Sequence, residues 1–359
     1  MKLFLKDGSI FEGESFGANK HISGEVVFNT GMVGYPEAFT DPSYAGQILL
    51  CTYPLIGNYG VPDKQHFESK KIQIAGLVVS EYSESYSHRS AKQSLADWLK
   101  KSGVPAISGV DTRALTRKLR EHGVMLGQMV KAGKAKKFTD PNETNLAASV
   151  STKKKEVFPP AMPAHAGQTS GKSSTTVVLV DCGAKENIVR SLVARGARVI
   201  RVPWDYDFTK EKYDGVLISN GPGDPKMCKA TIEHIRSAMA DGKPVLGICL
   251  GNQLLALAAG ASTYKLKYGH RSQNQPCSEV GTKRCYITSQ NHGYAVDGKS
   301  LPHGWEEWFV NANDGSNEGI RHKTKPFRSV QFHPEANPGP TDVAWIFNDF
   351  LKEVANSKS

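Results

Sequence analysis

Short apolar runs without alternation recur through the second half of the chain. They fall at 176–180, 198–202, Gly215–Ile218 and Val245–Ile248. Between them lie stretches with helical spacing, at 186–195, 230–240 and 252–259, the last stopped by Gly260. Unalternated strands that alternate with helices predict a parallel sheet covered on both faces, a doubly wound α/β domain. Ligands of such sheets sit at the carboxyl ends of the strands. The first half reads differently, as a mixed β/α domain. Asp7-Gly8 stands between 3–5 and Ile10–Glu12, a two-residue hairpin signal. Further strands are expected at 25–29 and Gln47–Cys51, and a longer buried one at 72–79. A helix over 91–101 places Leu95, Trp98 and Leu99 on one face. Asp111 caps another that bears Leu115 and Leu119 and closes at Gly123.

Residues 151–174 are rich in Pro, Gly, Ser and Lys, and their apolar residues show no period, so a linker is expected there. The chain of 359 residues then divides into 1–150, the linker 151–174, and 175–359. No stretch approaches the roughly 20 apolar residues that cross a bilayer. Lys6 and Asp7 break any signal-peptide core, so a cytoplasmic protein is expected. None of the six cysteines forms a C-x-x-C pair, which argues against a zinc site; no metal is expected in this chain. The formal charge of +10 raises the question of an acidic partner. Much of the excess lies in lysines at 131–137 and 153–155, without interleaved aromatics or a nucleic-acid motif. It is read as a solvated surface, with neither nucleic acid nor membrane as partner.

Gly247-Ile248-Cys249-Leu250-Gly251 follows a strand and opens a helix, the nucleophile-elbow pattern with Cys in place of Ser. So tight a turn leaves no room for side chains at the flanking positions. The helix that follows favours negative charge at its start, and the Leu250 N–H is placed to bind an oxyanion. A base is then needed. Gln331-Phe332-His333-Pro334-Glu335 puts His333 at the end of a strand expected over 329–332, and Glu335 within reach of one ring nitrogen. Asn220-Gly221-Pro222-Gly223-Asp224-Pro225 is a Gly- and Pro-rich loop at another strand end. Gln290-Asn291-His292-Gly293-Tyr294 reads as a similar polar loop. His292 is a rival base without an adjacent carboxylate.

Cys249 within GICLG, NGPGDP at 220–225 and QFHPE at 331–335 together resemble the class I glutamine amidotransferases. The resemblance implies that Cys249 attacks the side-chain amide of glutamine, that His333 serves as base and then acid, and that Glu335 orients it. A glutamyl thioester forms and ammonia leaves. GEVVFNTG at 24–31, TDPSY at 40–44, YPLIGN at 53–58 and GVDTR at 109–113 narrow the likeness. They resemble the amino-terminal domain of carbamoyl-phosphate synthetase small subunits, a domain absent from the amidotransferases of anthranilate, GMP or CTP synthesis. SQNHGYAV at 289–296 and Gly339-Pro340 fit as well. The family likeness marks Ser43, Gly221, Gly223, Leu250, Gln253, Asn291, Gly293 and Tyr294 as glutamine contacts. It implies a large-subunit partner that makes carbamoyl phosphate from bicarbonate. ATP and Mg are expected on that subunit, since this chain carries no P-loop, and no cofactor here. In animals the two domains are fused to the synthetase. This chain stops at Ser359, so a separate subunit is expected.

One position departs from the family pattern. Asn252 stands where many members have His, which is expected to alter thiol reactivity or the rate without a partner. On the residues alone two other readings stay open. One is a cysteine hydrolase or peptidase of related fold. The other is a non-catalytic regulatory scaffold, with Asn252 as its supporting feature.

Overall fold

The computed structural model describes residues 1–161 and 175–357. Two compact units emerge, Met1–Leu146 with Lys267–Ser272, and Ala147–Leu266 with Gln273–Ser359. Nothing in the sequence pattern signals that 267–272 groups with the first unit. Among the described residues no helix is long and apolar enough to cross a membrane.

In the first unit β1 (Lys2–Leu5) and β2 (Ile10–Glu12) pair antiparallel around Gly8, whose φ of 89° suits the tight turn. There follow β3 (Glu14–Ser15), β4 (Ile22–Asn29), α1 (Tyr35–Thr40), β5 (Gln47–Cys51), β6 (Leu55–Ile56), β7 (Gly76–Val78), β8 (Glu81–Tyr82), α2 (Leu95–Lys101), β9 (Ala106–Ser108), α3 (Thr112–His122) and β10 (Met125–Val130). An eight-stranded mixed sheet runs β2-β1-β10-β4-β5-β7-β9-β3, and β6 pairs with β8. Period-2 alternation sorts the side chains of β5. Ile48 and Leu50 join Leu115 and Leu119 of α3 in one core, while Leu49 and Cys51 join Phe39 and Leu99 in the other.

Two elements are shorter than their apolar pattern predicts. Within 72–79 only Gly76–Val78 is strand. Ile72 and Ile74 are buried, but the N–H groups of Gln73 and Ile74 donate to Phe39 O rather than to a ladder. Helix α2 starts at Leu95, not 91, because Ser94 Oγ accepts from Asp97 N as its cap. Just before it, Lys92 N donates to Val61 O and Gln93 O accepts from Val61 N.

The short helix α4 (Leu146–Val150) is followed by β11 (Glu156–Phe158), which pairs antiparallel with β13. Part of the stretch expected to be a linker is therefore an edge strand, in which Val157 pairs with Ile200 despite the surrounding lysines. Residues 162–174 lie outside the described residues. Next come β12 (Thr176–Asp181), α5 (Glu186–Ala194), β13 (Arg198–Pro203), β14 (Gly215–Ile218), α6 (Lys229–Ala240), β15 (Val245–Ile248), α7 (Leu250–Ala259), β16 (Thr263–Glu279), β17 (Cys285–Val296), β18 (Trp305–Asn311), β19 (Asn317–His322), β20 (Phe327–Val330) and α8 (Trp345–Asn356). The sheet order is β11-β13-β12-β14-β15-β20-β19-β18-β16-β17. Strands β13, β12, β14, β15 and β20 are mutually parallel, as unalternated apolar runs require; β19 and β18 continue antiparallel. Val178, Val180 and Ile218 pack with Ile235 and Leu254 of α6 and α7. Val177, Leu179 and Leu217 pack with Leu192 of α5 and Phe347 of α8. Both faces of the sheet are thus covered, the doubly wound arrangement expected from sequence.

Candidate active site

Strand β15 lies centrally in the second sheet, between β14 and β20. It delivers Cys249 at its carboxyl end, and α7 begins at the next residue. Cys249 has φ 56° and ψ −102°, a conformation that non-glycine residues rarely adopt. The flanking glycines make it attainable. A Cβ on Gly247 would lie 2.4 Å from Gly251 O, and one on Gly251 would lie 2.2 Å from Ile218 O. The elbow is pinned to the neighbouring strand, with Cys249 N donating to Val330 O at 2.8 Å. The thiol is buried, and Asn291 O accepts from Sγ at 3.6 Å.

Strand β20 ends at Val330, two residues before the expected end of the run 329–332. Gln331 N donates to Glu318 O and His333 N to Ser289 O, so the chain stays tied to its neighbours after the ladder stops. His333 Nδ1 lies 2.6 Å from Glu335 Oε1. Both side chains are buried. Lys185, itself buried, brings Nζ to 3.2 Å from the same carboxylate oxygen. Burial raises the Glu335 pKa, but Lys185 and His333 outweigh it and hold the carboxyl well below its usual range. Burial also disfavours a charged His333. The Glu335 carboxylate outweighs that and lifts the ring well above its ordinary 6.5, against Lys185 and helped by the nearby Cys249. The ring is thus a strong proton acceptor, held on one side by a carboxylate, while its Nε2 on the other side is buried without a hydrogen-bond partner among the described residues.

Lys185 carries no motif signal of its own and was missed by sequence reasoning. Its position just past the carboxyl end of β12 was the available hint. The turn that carries it is built by buried Asp181, whose Oδ1 accepts from Gly183 N and Ala184 N. Arg201 Nε donates to Asp181 Oδ2 at 2.7 Å, and Asn220 Oδ1 accepts from Lys185 N. Asn187 Nδ2 donates to the backbone oxygen of Glu335.

The loop after β14 supplies Gly221 and Gly223. A Cβ on Gly221 would fall 2.0 Å from Cys182 O and 2.9 Å from Leu250 Cδ2, so only glycine fits beside the elbow. Gly223 has φ 90°. Residues 290–294 are not a loop, as expected from their polarity, but lie within β17. The side chains of Gln290 and His292 are satisfied internally. Gln290 Nε2 donates to Thr288 Oγ1 at 3.1 Å. The His292 ring nitrogens lie 2.9 Å from Tyr294 O and 3.1 Å from Gln290 Oε1. Strand β19 supplies His292 with the carboxylate that the sequence did not reveal, Glu318 Oε1 at 3.7 Å. With both nitrogens so engaged, His292 is not the base for Cys249. Gln253 Nε2 donates to Tyr294 O at 2.9 Å. Cys249, Leu250, Gln253, Gly221, Gly223, Asn291, Gly293, Tyr294, His333 and Glu335 all belong to the second unit. Ser43 belongs to the first, in the turn Pro42–Tyr44, where its N–H donates to Asp41 Oδ1.

Residues 178–353 match the family Glutamine amidotransferase class-I, and residues 3–129 match Carbamoyl-phosphate synthase small chain, CPSase domain. The chain is 50% identical to the carbamoyl phosphate synthase arginine-specific small chain of Aspergillus oryzae, an alignment covering 99% of this chain and 80% of that one. It is 51% identical to the multifunctional protein pyr-3 of Neurospora crassa and 52% identical to the multifunctional protein CAD of Squalus acanthias, with 98% of this chain covered in each case. It spans 21% and 16% of the length of those two proteins. Identity of this level across most of a small chain, joined to the elbow and its His–Glu pair, means that the chain belongs to the carbamoyl-phosphate synthase small-chain family, with a class-I glutamine amidotransferase second half.

Proposed function

We propose that this chain hydrolyses glutamine to glutamate and ammonia and passes the ammonia to a large synthetase subunit, which makes carbamoyl phosphate from bicarbonate with its own ATP and Mg. That product would serve arginine and pyrimidine synthesis, as the names of the relatives suggest. The observation that carries the reading is the strained, buried Cys249 beside a ring made basic by Glu335, whose Nε2 is buried and takes no partner of its own among the described residues.

The chemistry follows from those groups. His333 takes the thiol proton as Cys249 sulfur bonds to the side-chain carbonyl carbon of glutamine. The oxyanion is met by the Leu250 N–H at the start of α7, aided by backbone at Gly221 and Gly223. His333 then gives its proton to the amide nitrogen, the C–N bond breaks and ammonia departs, leaving a thioester. Water attacks that thioester while His333 removes its proton. The C–S bond breaks to release glutamate and the thiol. Glu335 keeps Nδ1 as a donor throughout, so the proton traffic passes through the other ring nitrogen.

Cys249→Ser in the complex with the large subunit is the test. Glutamine-dependent synthesis should fall by about 10³-fold or more, as expected when the nucleophile is lost, while ammonia-dependent synthesis remains. Equal loss of both would refute the division of labour.

A further inference from the structure

Asn252 is the position at which the chain departs from its family pattern, and the structure gives its side chain a definite place. It is buried in α7 beside Gln253, and Ser329 of β20 and Gln331 just after that strand are buried with it. Neither of its amide atoms bonds to Cys249. Nδ2 donates to Gln331 Oε1 at 3.1 Å, and Oδ1 accepts from Ser329 Oγ at 2.8 Å.

The orientation of every amide in this cluster follows from one backbone carbonyl. Tyr294 O is an acceptor only, so the Gln253 atom at 2.9 Å from it is Nε2. The second hydrogen of that nitrogen goes to the Gln331 side chain at 3.1 Å, which must present Oε1. Gln331 Oε1 is approached from the other side by Asn252, which must therefore present Nδ2. Asn252 Oδ1 then faces Ser329, whose hydroxyl donates to it. Both hydrogens of Gln253 Nε2 are now used. Among the described residues no protein donor reaches Gln253 Oε1, and that oxygen is not sealed from solvent. The arrangement is held even though Gln331 Nε2 is buried without a partner. Were Gln331 turned over to relieve that atom, it would point N–H groups at two other donors.

We propose that Asn252 is a positioning residue for substrate recognition, which with Ser329 and Gln331 holds Gln253 so that its carbonyl oxygen is offered to the α-ammonium of glutamine. The proposal rests on the glutaminase reading above and deepens it. A carbonyl with no other donor suits an ammonium and repels a carboxylate, so the same cluster discriminates between amino acids and des-amino analogues. Asn252 accordingly acts on substrate binding and not on the thiol.

The test compares glutamine with glutaramate, which keeps the carboxamide and carboxylate but lacks the amino group. Asn252→Asp sets a carboxylate against Gln331 Oε1, and Ser329→Ala removes only the hydroxyl donor at the far end. Both should raise KM for glutamine, Asn252→Asp by about tenfold or more, with kcat within about threefold. Their kcat/KM for glutaramate should stay within about twofold of the parent. Asn252→His, which can supply one ring donor and one ring acceptor, should restore the glutamine KM. Equal losses with both substrates, or a fall in kcat at constant KM, would overturn the proposal. Alkylation of Cys249 gives an independent readout. Iodoacetamide, without an amino group, should label each variant at the parent rate, while a glutamine-like chloroketone should label about fivefold more slowly. Equal slowing with both reagents would place Asn252 on the thiol and refute the assignment. If the parent chain hydrolysed no glutamine at all, the glutaminase reading would fail, and the paired labelling rates would still decide the role of Asn252.

Discussion

Replacing Lys185 by Met removes one charge from the buried contact behind the imidazole while keeping much of the side-chain volume. In the parent, Nζ lies 3.2 Å from Glu335 Oε1, and the two side chains are only 4% and 0% exposed. At an effective dielectric constant of about 20, unit charges at that separation attract by about 5 kcal/mol. Desolvation offsets much of this, so the net worth of the pair is small. Removing one partner is a different matter, because the desolvated carboxylate stays behind. That loss is about 3–5 kcal/mol for a buried pair. The remaining contact with His333 places the expected value toward the lower end, about 3 kcal/mol. The pH dependence has a definite sign. Lys185 depresses the Glu335 pKa in the folded chain, from an ordinary 4.5. Stability of that origin is fully present above about 4.5 and is lost as pH falls through the folded value. Urea unfolding of the parent and Lys185→Met should therefore differ by about 3 kcal/mol at pH 7, and the gap should narrow as pH is lowered below 4.5. A difference under about 1 kcal/mol at pH 7, or one that ignores pH, would refute a desolvated pair at this position.

Two further outcomes follow. Gly251→Ala drives a methyl into Ile218 O, a backbone atom of β14 that cannot rotate away, so unfolding free energy should fall by about 3 kcal/mol in urea melts; a loss under about 0.5 kcal/mol would show that the elbow can open. Glu335→Gln should lower kcat for glutamine by about 10²-fold or more, and the His333 ionisation, read from its ring 15N shifts, should move down; because the raised ring stabilises the fold below its ordinary 6.5 and loses that contribution as pH rises, the stability deficit of this variant should shrink in alkali.

Much of the second unit was legible because its strands are apolar throughout and its turns carry glycine. The run at Val245–Ile248, the elbow and the Gly260 stop match the structure. Where polarity was taken as a sign of exposure, the reading failed. Gln290 and His292 look like loop residues, yet they lie in β17, where each finds a buried partner on another strand, Cys277 of β16 and Glu318 of β19. Such partnerships are set by tertiary structure and leave no local period. The same holds for Lys185, just before α5, and Glu318, in β19, which meet Glu335 and His292 from other elements. The opposite error occurred at 72–75, where apolar residues were read as strand. They do reach the core, but on an irregular backbone whose N–H groups are taken by Phe39 O and Gln47 O. At 156–158, Val157 and Phe158 sit among lysines and prolines, and composition hid a short edge strand.

Four neighbouring parallel strands finish on the same rim of the second sheet, and each hands over one piece: the turn to Lys185, the double-glycine loop, the sulfur, and the imidazole with its carboxylate. These pieces are drawn from residues 181 to 335, so only a chain that reaches 335 holds all four. The proposed amide cleavage would consequently report closure of the sheet. A chain clipped just before residue 333 would keep its cysteine but lack the base that the proposed reaction needs.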